Sequence, residues 1–261
     1  MTLGDGSPSA PDASHAPDAQ HAKRAWVRPV VATTVVTAVV TAASWLLPGK
    51  YAATGVGLCF LFATWLLVLR RDDDEVRAHG LALAGLFEPS RLDPKRIARE
   101  AGLACAFAIV MALIVFPPFV AGYPLYWSRI VGHPLHWIGK PLLLPPKFLD
   151  DVLGQLLVIA LPEEAFFRGY LQTSLDRVFS RRVRLLGADV GASLVVTSAV
   201  FAVGHLLTDP HPARLAVFFP SLLFGWMRAR SGGIGASLIF HAMCNLFVTV
   251  LAGNFGLGGA R

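Results

Sequence analysis

Apolar residues in this sequence gather into long runs that short polar or Pro/Gly-containing breaks separate. A helix that spans a membrane needs about 20 predominantly apolar residues. Seven runs approach that length, over residues 27–47, 52–69, 101–120, 151–170, 189–207, 213–227 and 235–251. The pattern predicts an all-α fold: a polytopic membrane helical bundle with about seven transmembrane helices.

The segments between these runs divide the chain into three parts. Residues 1–25 are rich in Pro, Ala, Asp and His, and predict a disordered polar tail. Residues 26–100 predict two transmembrane helices and a cytoplasmic interfacial segment over residues 70–100, in which RRDDDE precedes LALAGLFEP. Residues 101–261 predict the membrane-embedded core, and its segment 121–147 has the Pro, Trp and Tyr content of an irregular loop at headgroup level.

Composition and charge support a membrane protein and orient it. Charged residues make up 15% of the chain and apolar residues 54%, whereas soluble domains carry about 25% charged residues. Alternate loops, counted with the tail, hold 16 of the Lys and Arg residues against 6 in the other compartments. Since basic residues favour cytoplasmic loops, the N-terminus is predicted to be cytoplasmic. This asymmetry accounts for the net charge of +6 without nucleic acid.

Few ionisable residues lie inside the apolar runs, and three of them stand together in the fourth. Glu164 and Arg168 are four residues apart, so they can pair on one helix face. Glu163 points about 100° away and has no local cation, which suits a general base. Alternatively, the two glutamates cap the cytoplasmic end of a helix.

Two further runs carry polar side chains at helical spacing. Phe201 and His205 share one face of the fifth run, and His241 and Asn245 share one face of the seventh. An imidazole and a carboxamide together can hold water or stabilise an oxyanion. They can also serve only as interhelical hydrogen-bonding groups.

An antiparallel arrangement relates these groups in depth. If the fourth and fifth helices turn near residues 183–184, Glu163 and His205 lie at the same level. If the last two helices turn near residues 231–232, His241 lies opposite Leu222. His241 then matches the depth of Glu163 only if the fourth and fifth helices project into the cytoplasm.

The three motifs EEAFFR, FAVGH and HAMCN, on successive apolar runs, resemble those of the CaaX-prenyl-protease and bacteriocin-processing family of intramembrane proteases. The resemblance covers roughly residues 100–251. It implies that Glu163 activates the attacking water and that His205 holds or activates it. It further implies that His241 and Asn245 orient the water or form the oxyanion site. Supporting positions are Glu164, Arg168 and Phe201.

The resemblance also implies the chemical setting of the reaction. A glutamate-type mechanism without a metal is expected, and the alternative is a divalent metal such as zinc at Glu163, His205 and His241. The expected partners are a membrane-anchored protein or peptide substrate and the lipid bilayer, with no nucleic acid. The expected location is the cell membrane of a bacterium, and a sorting-associated subgroup fits the resemblance.

Other functions are compatible with the same polar cluster. A non-catalytic membrane scaffold or bacteriocin-immunity protein could retain the fold without hydrolysis. A transporter or proton relay could use the Glu/His cluster, although the sequence contains no internal repeat of the kind that many transporters show. A haem carrier would use His205 and His241 as paired ligands.

Overall fold

The computed structural model describes residues 19–85, 93–138, 144 and 147–257. These residues form a bundle of helices with one small β-hairpin. The α-helices are α1 (Ala19–Leu46), α2 (Gly49–Thr64), α3 (Asp73–Ala78), α4 (Pro94–Val131), α5 (Phe148–Leu153), α6 (Leu161–Glu164), α7 (Thr173–Asp176), α8 (Ala192–Thr208), α9 (Phe218–Ser231) and α10 (Gly235–Asn254). The strands are β1 (Arg182–Leu185) and β2 (Ala188–Gly191).

Some of these helices are joined without a break by π-helical turns. Trp65–Leu69 extends α2 in this way. The π-helical stretches Gly154–Ala160 and Ala165–Gln172 link α5, α6 and α7. Residues 148–176 are therefore one continuous rod, called here the central helix.

Within the part of the chain that the structure describes, four helical stretches are long and apolar enough to cross a membrane. They are Ala25–Leu46, Gly49–Leu69, Pro94–Val131 and Gly235–Asn254. The membrane helical bundle predicted from the sequence is thus confirmed, whereas the count of seven spans is not. The other three predicted runs correspond to the interrupted central helix, to α8 and to α9.

The ends of two helices differ from the prediction. Helix α1 begins at Ala19, inside the predicted polar tail, while residues 1–18 of that tail lie outside the described residues. Helix α4 runs on to Val131, so the first part of the predicted loop 121–147 is helical. Pro117, Pro118 and Pro124 lie within α4, and the helix ends only at Gly132, whose φ is +77°. Membrane helices tolerate such prolines more readily than soluble ones.

The β-hairpin is a second departure from the all-α prediction. Arg182 pairs with Gly191 and Leu185 with Ala188 in an antiparallel ladder. The turn between them has φ of +47° at Leu186 and +80° at Gly187, and positive φ at both central residues is typical of tight hairpin turns. The chain therefore reverses at residues 186–187, later than the predicted 183–184.

Three arginine-rich connections meet at one end of the bundle, called here the basic end. Arg177 donates to Glu75 Oε2 from both terminal nitrogens at 3.1 Å, which joins the central helix to α3. Arg228 donates to the Ala78 carbonyl oxygen at 3.2 Å and to Thr173 Oγ1 at 3.0 Å, which adds α9. This clustering agrees with the expectation that these loops share one side of the membrane.

The predicted interfacial segment 70–100 contains two capped helix starts. The Asp72 side chain accepts from the Glu75 amide at 2.9 Å at the start of α3. The Asp93 side chain accepts from the Lys95 amide at 3.0 Å at the start of α4. Such caps satisfy amides that a helix start would otherwise leave without partners. Residues 86–92 of the predicted segment lie outside the described residues.

Helix α2 packs closely against the central helix and fixes its position. A Cβ added at Gly57 would overlap the Val158 carbonyl oxygen. The Phe60 ring lies 5.3 Å from that of Phe166 and 5.4 Å from that of Phe167. This contact holds in place the segment of the central helix that carries the paired glutamates.

Candidate active site

Glu164 and Arg168 form a fully buried ion pair on the central helix. Arg168 Nη2 lies 3.5 Å from Glu164 Oε1, and both side chains are 0% exposed. Arg168 also donates to Ser221 Oγ on α9 at 3.2 Å. Its guanidinium lies over the rings of Phe201, at 4.6 Å, and Phe224, at 5.3 Å. The structure thus contains the i, i+4 pair that the sequence predicted, enclosed by aromatic rings that exclude water from it.

His241 links this pair to the neighbouring glutamate. Its Nδ1 lies 3.1 Å from Glu164 Oε1, within hydrogen-bond distance, and its Nε2 lies 3.7 Å from Glu163 Oε2. The imidazole is stacked on Phe224, with ring centroids 4.6 Å apart. One imidazole therefore bridges two adjacent carboxylates and is held in plane by an aromatic ring.

The two glutamates differ in what surrounds them. Glu164 is fully enclosed, whereas the Glu163 side chain is 12% exposed. Within the described part of the chain, the buried Oε2 atoms of both glutamates have no hydrogen-bond partner, but Glu164 is held by Arg168 and His241 through Oε1. A carboxylate oxygen that is both buried and unshared is available to accept a proton from a bound molecule.

His205 lies on α8 at the edge of this cluster. Its Nδ1 lies 3.0 Å from the Phe201 carbonyl oxygen, and its ring is 4.4 Å from the Phe201 ring. With Nδ1–H donated to that carbonyl, Nε2 of the neutral ring is the nitrogen left with a lone pair. His205 interacts electrostatically with Glu163 and with His241. Phe201 thus orients the imidazole, as a supporting residue would.

The predicted depths were partly wrong. His241 is the histidine within ion-pair distance of Glu163, and His205 acts on that carboxylate over a longer range. The residue that faces His241 is Phe224 rather than the predicted Leu222. The estimate for Glu163 and His205 assumed straight α-helices of equal rise, whereas the central helix contains π-helical turns and the hairpin that follows it turns later.

Asn245 lies one turn beyond His241 and has a partner that sequence reasoning missed. Its Nδ2 donates to Gln155 Oε1 on the central helix at 2.9 Å. The pair extends the contact between α10 and the central helix from the glutamates toward the other end of the rod. Gln155 interrupts the run VLGQLLVIAL, so a search for amides as well as for charges in apolar runs would have found it.

Other residues around the site were also missed. Ser221 and Phe224 contact Arg168 and His241 from α9. Gln172 donates to the Gly225 carbonyl oxygen at 3.0 Å, which ties the central helix to α9 further along. Ser221 and Gln172 could have been identified from the sequence, because each is a polar residue in an otherwise apolar segment. Nothing in the sequence distinguishes Phe224 from the other phenylalanines among its 17.

The geometry of the site bears on the alternative donor set for a metal, Glu163, His205 and His241. Among the described residues, no group of three or more His, Cys, Asp or Glu side chains is placed to hold a metal ion. Both ring nitrogens of His241 face carboxylate oxygens, so each is oriented toward an anion. In this arrangement Glu163, His205 and His241 are not gathered as three ligands around one point.

Comparison with known proteins gives one match. Residues 145–247 match the family model described as type II CAAX prenyl endopeptidase Rce1-like. That segment contains both glutamates, Arg168, both histidines of the cluster and Asn245. No curated protein and no solved structure matches the chain.

Proposed function

We propose that this chain, whose residues 145–247 match the family model of Rce1-like type II CAAX prenyl endopeptidases, is an intramembrane endopeptidase. It hydrolyses a peptide bond in a membrane-associated protein or peptide. The observation that carries the proposal is the contrast within Glu163-Glu164. The Glu164 carboxylate is fully enclosed and contacts Arg168 and His241 through Oε1, whereas the Glu163 side chain is 12% exposed and lies 3.7 Å from His241 Nε2.

Glu163 is the proposed general base. It takes a proton from a water molecule as the water oxygen bonds to the carbonyl carbon of the substrate. The resulting tetrahedral intermediate collapses with cleavage of the C–N bond, and the proton on Glu163 passes to the leaving amine. Glu164 stays paired with Arg168, so only one of the two carboxylates changes its proton during the reaction.

His205, His241 and Asn245 are the proposed supporting groups. His205 holds or activates the water, since its orientation by Phe201 supports a fixed role for Nε2. His241 and Asn245 orient the water or stabilise the oxyanion that forms on the substrate carbonyl. The link between Asn245 and Gln155 supports a fixed orientation of the Asn245 carboxamide.

The proposed reaction needs no metal ion. The His241 nitrogens are directed at Glu163 and Glu164, which supports proton transfer rather than metal binding at that ring. The alternative is zinc held by Glu163, His205 and His241. Metal analysis of the purified protein separates the two: we expect less than one zinc per ten chains and unchanged melting with chelator. Stoichiometric zinc that chelator removes, with a lower melting temperature, would establish the alternative.

The proposed setting is the cell membrane of a bacterium, with the N-terminus and the basic end in the cytoplasm. The clustering of Arg177, Arg228 and the neighbouring arginines at one end supports this orientation. The proposed substrates are membrane-anchored proteins or peptides, and a sorting-associated role is one of the options. Nucleic acid is not an expected partner.

Mass spectrometry of the termini of membrane proteins tests the proposal. Cells producing the wild-type chain are compared with cells producing Glu163→Gln. A new terminus in a membrane-associated protein is expected with the wild-type chain. Its yield should fall about 100-fold or more in the variant, because loss of a general base costs about 10²–10⁴ in rate.

Glu100→Gln is the matched control for this experiment. Glu100 is a half-exposed carboxylate that pairs with Arg96 at 2.9 Å, outside the cluster, so its variant should give the wild-type termini. Identical termini from all three chains would overturn the proposed hydrolysis. Protection from a bacteriocin that persists in Glu163→Gln would then favour the scaffold or immunity function.

A further inference from the structure

The β-hairpin sorts its side chains onto two chemically different faces. Residues paired across an antiparallel ladder lie on the same face, and successive residues alternate. Val183 pairs with Val190 and Leu185 with Ala188, which makes one face apolar. The other face carries Arg182 and the pair Arg184–Asp189. The short hairpin is therefore amphipathic, with one apolar and one charged face.

The apolar face is only partly covered by the protein. Ala188 is fully buried, and β2 packs against α9. Val183 is 70% exposed, Leu185 50% and the turn residue Leu186 79%. The β1 edge and the tip therefore present three large apolar side chains away from the bundle. Such an exposed apolar cluster at a charged site indicates an interaction surface.

The hairpin is attached to the bundle beside a tryptophan. Trp226 Nε1 donates to the Leu185 carbonyl oxygen at 3.0 Å. The Trp226 ring meets Phe107 of α4, one of the helices long and apolar enough to span, edge to face at 5.7 Å. Tryptophan is enriched where a membrane protein meets the lipid headgroups. This contact favours a position of the hairpin at the level of the membrane surface.

Most of the charges around the apolar tip are basic, and Asp176 lies 3.9 Å from Arg182. Arg181, Arg182 and Arg184 lie within the hairpin region, and the Arg182 and Arg184 side chains are 43% and 74% exposed. Asp189 lies 3.8 Å from Arg184. Basic side chains near an anionic lipid surface each contribute about 1 kcal/mol of attraction. Apolar side chains ringed by arginines therefore match anionic lipid better than a neutral protein surface.

We propose that the β-hairpin is a lipid-surface anchor. Three apolar side chains enter the boundary between headgroups and acyl chains: Val183, Leu185 and Leu186. The long side chains of Arg182 and Arg184 allow their guanidinium groups to reach and bind the phosphates of anionic lipids. The anchor joins the central helix, which carries Glu163, to α8, which carries His205. It goes beyond the proposed hydrolysis and does not depend on it.

Spin labels at two neighbouring positions test the anchor. Cysteine replaces Val183 or Arg184 in a full-length chain whose native cysteines are changed to alanine, at Cys59, Cys105 and Cys244. The chain is reconstituted into vesicles of phosphatidylcholine alone or with 30% phosphatidylglycerol. We expect the label at 183 to collide at least threefold more with oxygen, relative to a water-soluble nickel complex, than the label at 184. The difference should widen in the anionic vesicles.

Two results would overturn the anchor. Equal, water-like collision ratios at both positions would show that the apolar face does not enter lipid. Spin–spin broadening at 183 that disappears on dilution with unlabelled chain would show a second copy of this chain on the β1 edge instead.

Hydrogen exchange on the unmodified chain covers the case in which the labelled variants fail to fold. In nanodiscs, amides of residues 182–191 should exchange at least threefold more slowly with anionic lipid than with phosphatidylcholine alone. Amides of α3, at the same end of the bundle, should exchange at the same rate in both. Exchange of the hairpin that is independent of lipid charge would contradict the proposal.

Discussion

Two clusters in this protein use the same residue types in very different surroundings. In the candidate site, Glu164 pairs with Arg168 and contacts His241, whose ring stacks on an aromatic side chain. At the basic end, Glu75 pairs with Arg177 at 3.1 Å and lies 3.4 Å from His79. The His79 ring is likewise parallel to an aromatic ring, that of Tyr170, with centroids 6.5 Å apart.

What separates the two clusters is the burial of the ion pair. Both members of the inner pair are 0% exposed, whereas Glu75 is 31% and Arg177 50% exposed. Water screens the outer pair, so its strength is modest. The inner pair has lost its hydration and depends on its partners alone. Identical chemistry therefore serves to join helices at the basic end and to fix charged groups in the candidate site.

The largest expected effect comes from removing the inner cation. Arg168→Leu leaves the Glu164 carboxylate buried without its cation, in contact with His241 and Ser237. The variant should lose about 3–5 kcal/mol of unfolding free energy, the usual cost of breaking a buried pair. Tryptophan fluorescence during denaturation in detergent micelles measures the change. Arg177→Leu is the matched control and should cost about 1 kcal/mol or less. Equal losses in the two variants would remove the distinction between the clusters.

A smaller effect is expected from neutralising each of the adjacent glutamates. Glu164→Gln weakens the contacts with Arg168 and His241, and should cost about 1.5–3 kcal/mol, as for hydrogen bonds to charged groups. Glu163→Gln should change the unfolding free energy by less than about 1 kcal/mol, because the Glu163 side chain is 12% exposed and its contact with His241, at 3.7 Å, is beyond hydrogen-bond distance. The same unfolding measurement compares them. If Glu163→Gln were less stable than Glu164→Gln, Glu163 rather than Glu164 would be the glutamate that stabilises the fold.

The smallest effect is a pH dependence from the outer cluster. Burial lowers the pKa of His79 below its ordinary value of 6.5, and the charges of Arg177 and Arg228 add to this, against the opposing contacts with Glu75. Folding therefore favours neutral His79, so its contribution is complete above about pH 6.5 and is lost as the pH falls below that value. The loss is at most about 1.4 kcal/mol per pH unit.

Unfolding measured between pH 5 and 7.5 tests this dependence. The slope below pH 6.5 should be steeper for the wild-type chain than for His79→Gln, which lacks the titrating ring. A steeper slope in the variant, or no difference, would contradict the burial argument. The two chains contain the same carboxylates, so the difference between their slopes reports the contribution of His79 alone.

The sequence predicted the elements whose signal is local. Long apolar runs identify the spanning helices, and the spacing of Glu164 and Arg168 predicts their pairing. The turn at residues 231–232 was also predicted, because Gly232 ends α9 in the left-handed conformation that favours glycine. Each of these features depends on residues within one continuous segment of the chain.

Features that depend on the meeting of distant segments were not predictable in this way. The partners Phe224 of His241 and Gln155 of Asn245 are set by how three helices pack. The short β-hairpin arises where the chain has apolar alternation over only four residues, too few to separate from a loop. The continuation of α4 through three prolines goes against the local preference of proline to end a helix.

The π-helical turns of the central helix have a consequence for the angular setting of the glutamates. Glu163 and Glu164 lie in the short α6, between the π-helical stretches Gly154–Ala160 and Ala165–Gln172. Removing one residue from a helix turns everything beyond it by about 100°. A deletion in the first stretch would rotate Gln155 away from Asn245 while sparing the pair with Arg168. A deletion in the second would do the reverse. The angular position of the two glutamates relative to Gln155 can therefore change without changing their position relative to Arg168, and the reverse also holds.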